Sequence, residues 1–279
     1  MRPRSWVRGA LIFVPLISSR QFIEPGAVAR SAAVFAGFSL LASGVYLFND
    51  VADRQADALH SSKRNRPVAA GRVGVRAALA LSVLLVAGGL AIAAALANGA
   101  LAALFAGYVL MNVAYSLWLK SVVLVDTLIV ATGFLLRPLA GAFGIGVEVS
   151  PWLFIVTLFT SLSVALLKRR AEMIAGAEQA AAQRAVLAEY SAPLLDQLVA
   201  ISTASASISY GLYTFNSPHS HALMYTMPLF VYGMFRYLFL VYERGFGEAP
   251  EEALLRDRPF QINLVVYAAV TLGILLTTE

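Results

Sequence analysis

The sequence predicts an all-α fold: a polytopic membrane bundle of nine transmembrane helices with a polar cavity facing the cytoplasm. Three observations predict it. Of the 279 residues, 59% are hydrophobic and only 13% are charged, against roughly 25% charged in a soluble domain. The apolar residues collect into long runs, and a helix needs ~20 of them to cross the hydrocarbon core. Backbone groups inside a bilayer must be paired, which leaves helices or closed barrels of short alternating strands. These runs are long and do not alternate, so they read as helices.

Nine runs qualify, at about 6–22, 27–48, 77–97, 100–119, 121–143, 152–167, 197–216, 221–242 and 262–278. The first follows a basic start, Met1 to Arg8, and is interrupted by Pro15. No small-residue cleavage site follows it, so it reads as a retained helix rather than a signal peptide. The second ends directly on an acidic stretch, Asn49 to Asp57. Tyr115, Lys120 and Asp126 bracket the turn between the fourth and fifth runs. Arg137 lies three helical turns beyond Asp126 in the fifth, and charges inside a span face a polar cavity or a partner. The sixth run is short. Lys168-Arg169-Arg170-Ala171-Glu172 carries it into the longest connection, 168–196, which reads as a helical extension and then a surface helix interrupted by Pro193. Ser and Thr residues in 201–209 suit close helix packing. His219 and His221 lie away from the acidic stretch and read as solvated. No internal repeat stands out, and residues 1–279 read as a single transmembrane domain.

Charge sets the orientation. With the N-terminus in the cytoplasm, residues 1–8, 49–76, those near 120, 168–196 and 243–261 share one side. Most of the 21 Lys and Arg residues lie there, as the positive-inside rule requires. The protein is therefore expected in the inner (plasma) membrane, with the acidic stretch cytoplasmic and the C-terminus outside. Its net charge of +5 belongs mostly to that one side, next to the lipid bilayer, and gives no reason to expect nucleic acid. There is no cysteine, which excludes disulfides, thiolate catalysis and zinc–thiolate sites. The oligomeric state is left open, a homo-oligomer included.

The acidic stretch is the candidate site. On a helix, Asp50, Asp53 and Asp57 fall at i, i+3 and i+7 and share one face. Like charges so placed repel unless a cation sits among them. Oxygen-only ligands suit a hard cation such as Mg²⁺, which keeps waters and also binds substrate phosphates. Downstream, Lys63-Arg64-Asn65-Arg66-Pro67 offers cations for phosphate oxygens. A mixed-charge loop between membrane helices is often only a solvated connection, and Lys-Arg-Arg at a helix end is an ordinary topology anchor. Neither reading accounts for three aspartates in phase at the mouth of an apolar helix, nor for Glu172.

Asn49-Asp50-Val51-Ala52-Asp53-Arg54-Gln55-Ala56-Asp57 resembles the NDxxDxxxD motif of the UbiA superfamily of intramembrane transferases. Most of its members move a prenyl group from its pyrophosphate to an acceptor, and they carry a second aspartate-rich motif after the sixth helix. Lys168-Arg169-Arg170-Ala171-Glu172 stands in that place here. This departure resembles the branch of decaprenyl-phosphate phosphoribosyltransferases. So do Arg2-Pro3-Arg4-Ser5-Trp6-Val7-Arg8, although Ser5, Arg8 and Gly9 stand where that branch carries Gln, Lys and Asn. Arg64-Asn65-Arg66-Pro67-Val68-Ala69-Ala70-Gly71, Tyr115-Ser116-Leu117-Trp118-Leu119-Lys120 and Asp257-Arg258-Pro259 complete the resemblance, which covers nearly the whole chain.

The resemblance implies a Mg-dependent transferase of cell wall biosynthesis that moves 5-phosphoribose from phosphoribosyl pyrophosphate to a polyprenyl phosphate. Asp50, Asp53 and Asp57 are the expected catalytic metal ligands. Asn49, Lys63, Arg64, Arg66, Tyr115, Lys120, Asp126, Arg137, Lys168, Arg169, Arg170 and Glu172 are the expected substrate contacts. Two alternatives stand beside it: a UbiA-type prenyltransferase acting on an aromatic or isoprenoid acceptor, and a lipid transporter. A transporter would need charges deep in several helices and on both sides, whereas these concentrate at one edge.

Overall fold

The computed structural model describes residues 3–59, 63–174, 185–217, 221–247, 253 and 255–277. Among the described residues all regular structure is helical. In chain order the α-helices are α1 (Val14–Ser18), α2 (Pro25–Ala52), α3 (Arg54–Leu59), α4 (Val75–Ala95), α5 (Gly99–Leu117), α6 (Val125–Ile145), α7 (Pro151–Ile174), α8 (Ala192–Phe215), α9 (Met227–Arg244) and α10 (Arg258–Thr277). Seven helical stretches among the described residues are long and apolar enough to cross a membrane: α2, α4, α5, α6, α7, His221–Arg244 and α10. The 24-residue α8 is long enough but richer in hydroxyls.

Three expectations need correcting. The run at 6–22 is not one spanning helix. A 3-10 helix, Pro3–Phe13, gives way to the five-residue α1, and Arg20 then adopts a left-handed backbone, φ 62°. Pro15 lies in the first turn of α1, where its missing N–H is harmless; farther in, its ring would clash with a preceding carbonyl. Similarly, Pro193 opens α8 rather than interrupting a helix. Ser191 caps that helix by accepting from the Leu194 N–H at 3.3 Å. Finally, the acidic stretch is not one continuous helix, because α2 stops at Ala52 and α3 starts at Arg54. The extension of the sixth run does form, since α7 continues to Ile174. Of the surface helix expected after it, 175–184 lie outside the described residues, as does His219, and Ala185–Glu189 form a 3-10 turn. His221 is exposed.

The chain divides into two compact units: Met1–Ile129 with Leu136–Glu148, and Val130–Leu135 with Val149–Glu279. In the first, α2 and α4 pack backbone to backbone. A Cβ added at Gly44 would lie 2.8 Å from the Ser82 carbonyl oxygen, and one at Gly89 would lie 2.7 Å from that of Gly37. Small residues seven apart on each helix thus form the seam. Lipid supplies no hydrophobic drive between helices, so close van der Waals contact and hydrogen bonds must hold them. Ser82 Oγ donates one such bond to the Gly44 carbonyl at 2.7 Å. Beside the seam, Phe38 packs edge-on against Phe105, ring centroids 5.7 Å apart, within a buried cluster that includes Val34, Leu41 and Leu101. This fixes α2, and with it the height at which the acidic stretch leaves the helix.

In the second unit, α7 and α8 are joined by a buried Ser163–Thr203 hydrogen bond of 2.8 Å. Ser202 and Ser209 are buried as well, which is the packing role read for 201–209. Tyr210 on α8 stacks on Phe230, centroids 4.1 Å apart, and shares hydrogen bonds with Thr226 and Tyr267.

Candidate functional site

The last turn of α2 brings Asn49 and Asp50 to the rim of the first unit. The helix then breaks for one residue at Asp53, although the backbone bonds from Asp53 N to Asn49 O and from Asp57 N to Asp53 O, both 2.8 Å, keep helical spacing across the break. In a straight helix Asp50 and Asp57 would stand about 10.5 Å apart along the axis. Here both carboxylates meet one nitrogen. Arg66 Nη1 donates to Asp57 Oδ2 at 2.6 Å and to Asp50 Oδ1 at 3.2 Å. Both aspartates are buried, at 7% and 4% exposure. Buried carboxylates are costly unless paired, and Arg66, on the turn after the 3-10 helix Lys63–Asn65, supplies the pair.

Asp53 points to a different cation. Lys120 Nζ, on the 3-10 turn Leu119–Ser121, donates to Asp53 Oδ1 at 2.5 Å. Both side chains are about one-third exposed, 31% each. Asn49 accepts a hydrogen bond from Ser116 Oγ, which also donates to the Asn112 carbonyl. The end of α5 is thereby tied to the end of α2. Sequence reasoning singled out the neighbouring Tyr115, which is half-buried, and missed Ser116. Ser116 stands inside the same Tyr115–Lys120 segment, but nothing local in the sequence marks it as the partner of Asn49.

The remaining candidates of this unit are spread more widely. Arg64 is exposed, and the Lys63 side chain lies outside the described residues. Asp126 is fully buried in the first turn of α6, where a negative charge suits the helix dipole. Arg137 is buried at 4% exposure, 5.1 Å from the Phe38 ring centroid and hydrogen-bonded to Tyr108.

The second unit holds its own polar cluster at the end of α7. Arg169, buried, donates to Glu172 at 2.6 Å. Arg170 donates from Nε to Asp196 Oδ1 at 2.5 Å, and its guanidinium lies 3.8 Å from the Tyr242 ring centroid. Tyr242 donates to the same carboxylate oxygen at 2.6 Å. Asp196 and Tyr242 were not legible as partners, being 26 and 72 residues from Arg170. Lys168 is half-buried at the start of the same segment. Farther along, Arg236 grips Asp257 through two nitrogens, at 2.8 and 3.1 Å. Asp257 also accepts from the Phe260 N–H at 2.8 Å, capping α10. The Arg236 bond holds the Asp257 carboxyl below its ordinary value, against the opposing effect of burial.

Among the described residues, no group of three acidic or histidine side chains is gathered closely enough to enclose a metal ion. The donor chemistry nevertheless fits a hard cation. Asp50 and Asp57 already converge on one positively charged nitrogen, and all donors are oxygens.

The chain has known relatives. The family model described as the UbiA prenyltransferase family matches residues 11–254. The decaprenyl-phosphate phosphoribosyltransferase of Mycolicibacterium smegmatis is 33% identical, over 96% of this chain and 88% of that protein. Its namesake in Corynebacterium glutamicum is 32% identical, over 94% and 81%. Among solved structures, a UbiA homolog from Archaeoglobus fulgidus bound to GPP and Mg2+ superposes with a TM-score of 0.76 at 19% identity, covering 99% of this chain and 98% of the other. That likeness is one of fold.

Proposed function

The chain belongs to the UbiA prenyltransferase family, and from that premise we propose that it transfers 5-phosphoribose from phosphoribosyl pyrophosphate to a polyprenyl phosphate, releasing pyrophosphate. The observation that carries the reading is the similarity, over nearly the whole chain, to proteins named for phosphoribosyl transfer onto decaprenyl phosphate. The basic segment Lys168-Arg169-Arg170, where most of the family carries aspartates, supports it. An allylic pyrophosphate is anionic at one end only. Phosphoribosyl pyrophosphate adds a second phosphate and the lipid acceptor a third, so this donor and acceptor call for more cations.

In this reaction an oxygen of the lipid phosphate bonds to the anomeric carbon of the ribose. The bond from that carbon to the pyrophosphate breaks, and pyrophosphate leaves with the electron pair. The carbon takes on oxocarbenium character, as in other glycosyl transfers. The acceptor is already an anion near neutral pH, so no strong general base is needed. Asp50, Asp53 and Asp57 would hold Mg²⁺, with Asn49 beside them kept in place by Ser116. When bound, Mg²⁺ would neutralise charge on the departing pyrophosphate. Arg66, Arg64, Lys63 and Lys120 bind phosphate oxygens around it. Lys168, Arg169 and Arg170 bind phosphate that a prenyl donor lacks, with Glu172 and Asp196 orienting their partners. The test is direct: purified protein with a divalent cation is offered phosphoribosyl pyrophosphate or a prenyl pyrophosphate, and pyrophosphate release and lipid product are followed. Turnover of the prenyl donor alone would overturn the reading.

The proposed enzyme is one nine-pass domain of the inner membrane. Its passes are the seven apolar stretches, α8 and the Pro3–Ser18 segment, with the acidic stretch cytoplasmic. Because the chain has no cysteine, single-cysteine variants give a clean test. Glu148→Cys should react with an impermeant maleimide added to intact cells, and Ala70→Cys should react only after lysis. The reverse pattern would invert the topology.

A further inference from the structure

Arg66 Nη1 lies between two buried carboxylate oxygens, 2.6 Å from one and 3.2 Å from the other. A divalent ion bound to both Asp50 and Asp57 would need that same place. We infer that Arg66 is an internal counterion that competes with the divalent cation for Asp50 and Asp57 and moves to the substrate's pyrophosphate when the metal enters. The inference rests on the metal role proposed above and adds an order to it: metal and pyrophosphate bind together, and neither binds tightly alone.

The physical argument has three steps. Asp50 and Asp57 are buried and share Arg66, so withdrawing that cation without replacing it costs the carboxylates a charge partner in a poorly hydrated place. Arg66 can leave without any helix moving. Its backbone is fixed in a turn, with its carbonyl accepting from the Ala70 N–H at 2.8 Å, while its side chain is 25% exposed. The swap is favourable only if the guanidinium finds new anionic oxygens. A phosphate offers them in the forked geometry that Arg binds best. Metal alone would evict Arg66 to water, and pyrophosphate alone would meet an Arg66 still held by two carboxylates. The two ligands therefore assist each other, by the reciprocity of coupled binding.

The test uses the full chain in detergent and measures binding, not turnover. Mn²⁺ stands in for the metal, and bound and free ion are separated by electron paramagnetic resonance. In Arg66→Gln, Mn²⁺ added alone should bind about tenfold or more tighter than in the wild type, because a competing charge at contact distance is gone. In the same variant, labelled inorganic pyrophosphate at saturating Mn²⁺ should bind about tenfold more weakly, because one charged partner is lost. Opposite signs from one substitution are the signature, since a distorted site would weaken both. Should Arg66→Gln not fold, Arg66→Lys should show the same two signs with smaller size. Unchanged or weaker Mn²⁺ binding in the folded variant overturns the inference. No sugar or prenyl donor is present, so failure of the phosphoribosyl reading leaves this result untouched. Conversely, wild-type turnover of phosphoribosyl pyrophosphate beside a failed Mn²⁺ test overturns the counterion inference alone.

Discussion

Replacing Asp50 or Asp57 by asparagine is expected to lower turnover by about a hundred- to a thousandfold, the usual effect of removing one preorganised charge partner. Asparagine keeps the shape and removes the charge. Each single variant leaves Arg66 one carboxylate, so the guanidinium stays paired and the thermal midpoint should move little. Alanine would add a void to the loss of charge and confuse the two effects. Asp53→Asn should also fall sharply in turnover, although Asp53 is partly exposed and its partner is Lys120 rather than Arg66. Rates under saturating donor, measured beside unfolding curves, separate chemistry from stability. A folded variant with wild-type turnover would remove the acidic stretch from the reaction.

The helices and the location of the acidic stretch could be read from composition and spacing, because both are local properties. α2, α4, α5 and α10 follow the apolar runs closely. The first run misled because hydropathy counts apolar residues and does not register that Pro15 and a 3-10 winding shorten the helical segment to α1. The break at Asp53 was invisible for a related reason. It interrupts the helix at one residue while preserving the hydrogen-bond spacing on either side, so the i, i+3, i+7 pattern is the same with or without it. The consequence is large, since Asp50 and Asp57 share Arg66 while Asp53 turns to Lys120. Partners distant in the chain were out of reach altogether. Nothing in the sequence pairs Asn49 with Ser116, 67 residues on, or Arg170 with Asp196. Such pairs are made by helix packing, which a single sequence does not display.

Arg169 gives the sharpest separation between a phosphate-binding role and a structural one. It is 3% exposed and bonded to Glu172, so Arg169→Gln has two expected effects. Loss of a charged phosphate partner removes about 1.5–3 kcal/mol, or roughly ten- to a hundredfold in use of phosphoribosyl pyrophosphate. Breaking the buried pair also takes Arg169 away from Glu172, and removing one partner of a buried pair commonly destabilises by about 3–5 kcal/mol. A single variant confounds the two, whereas a second substitution resolves them. Arg169→Gln combined with Glu172→Gln removes both charges of the pair, and the two amides can still hydrogen-bond. The double variant should recover most of the lost thermal stability and none of the lost use of phosphoribosyl pyrophosphate. Lys168→Gln, at a half-buried position of the same segment, should lose donor use to a similar extent. If the double variant regains both stability and donor kinetics, Arg169 is a structural partner of Glu172 and binds no phosphate. That outcome leaves the proposed metal role of Asp50, Asp53 and Asp57 untouched, because it is argued from a different cluster with its own cations.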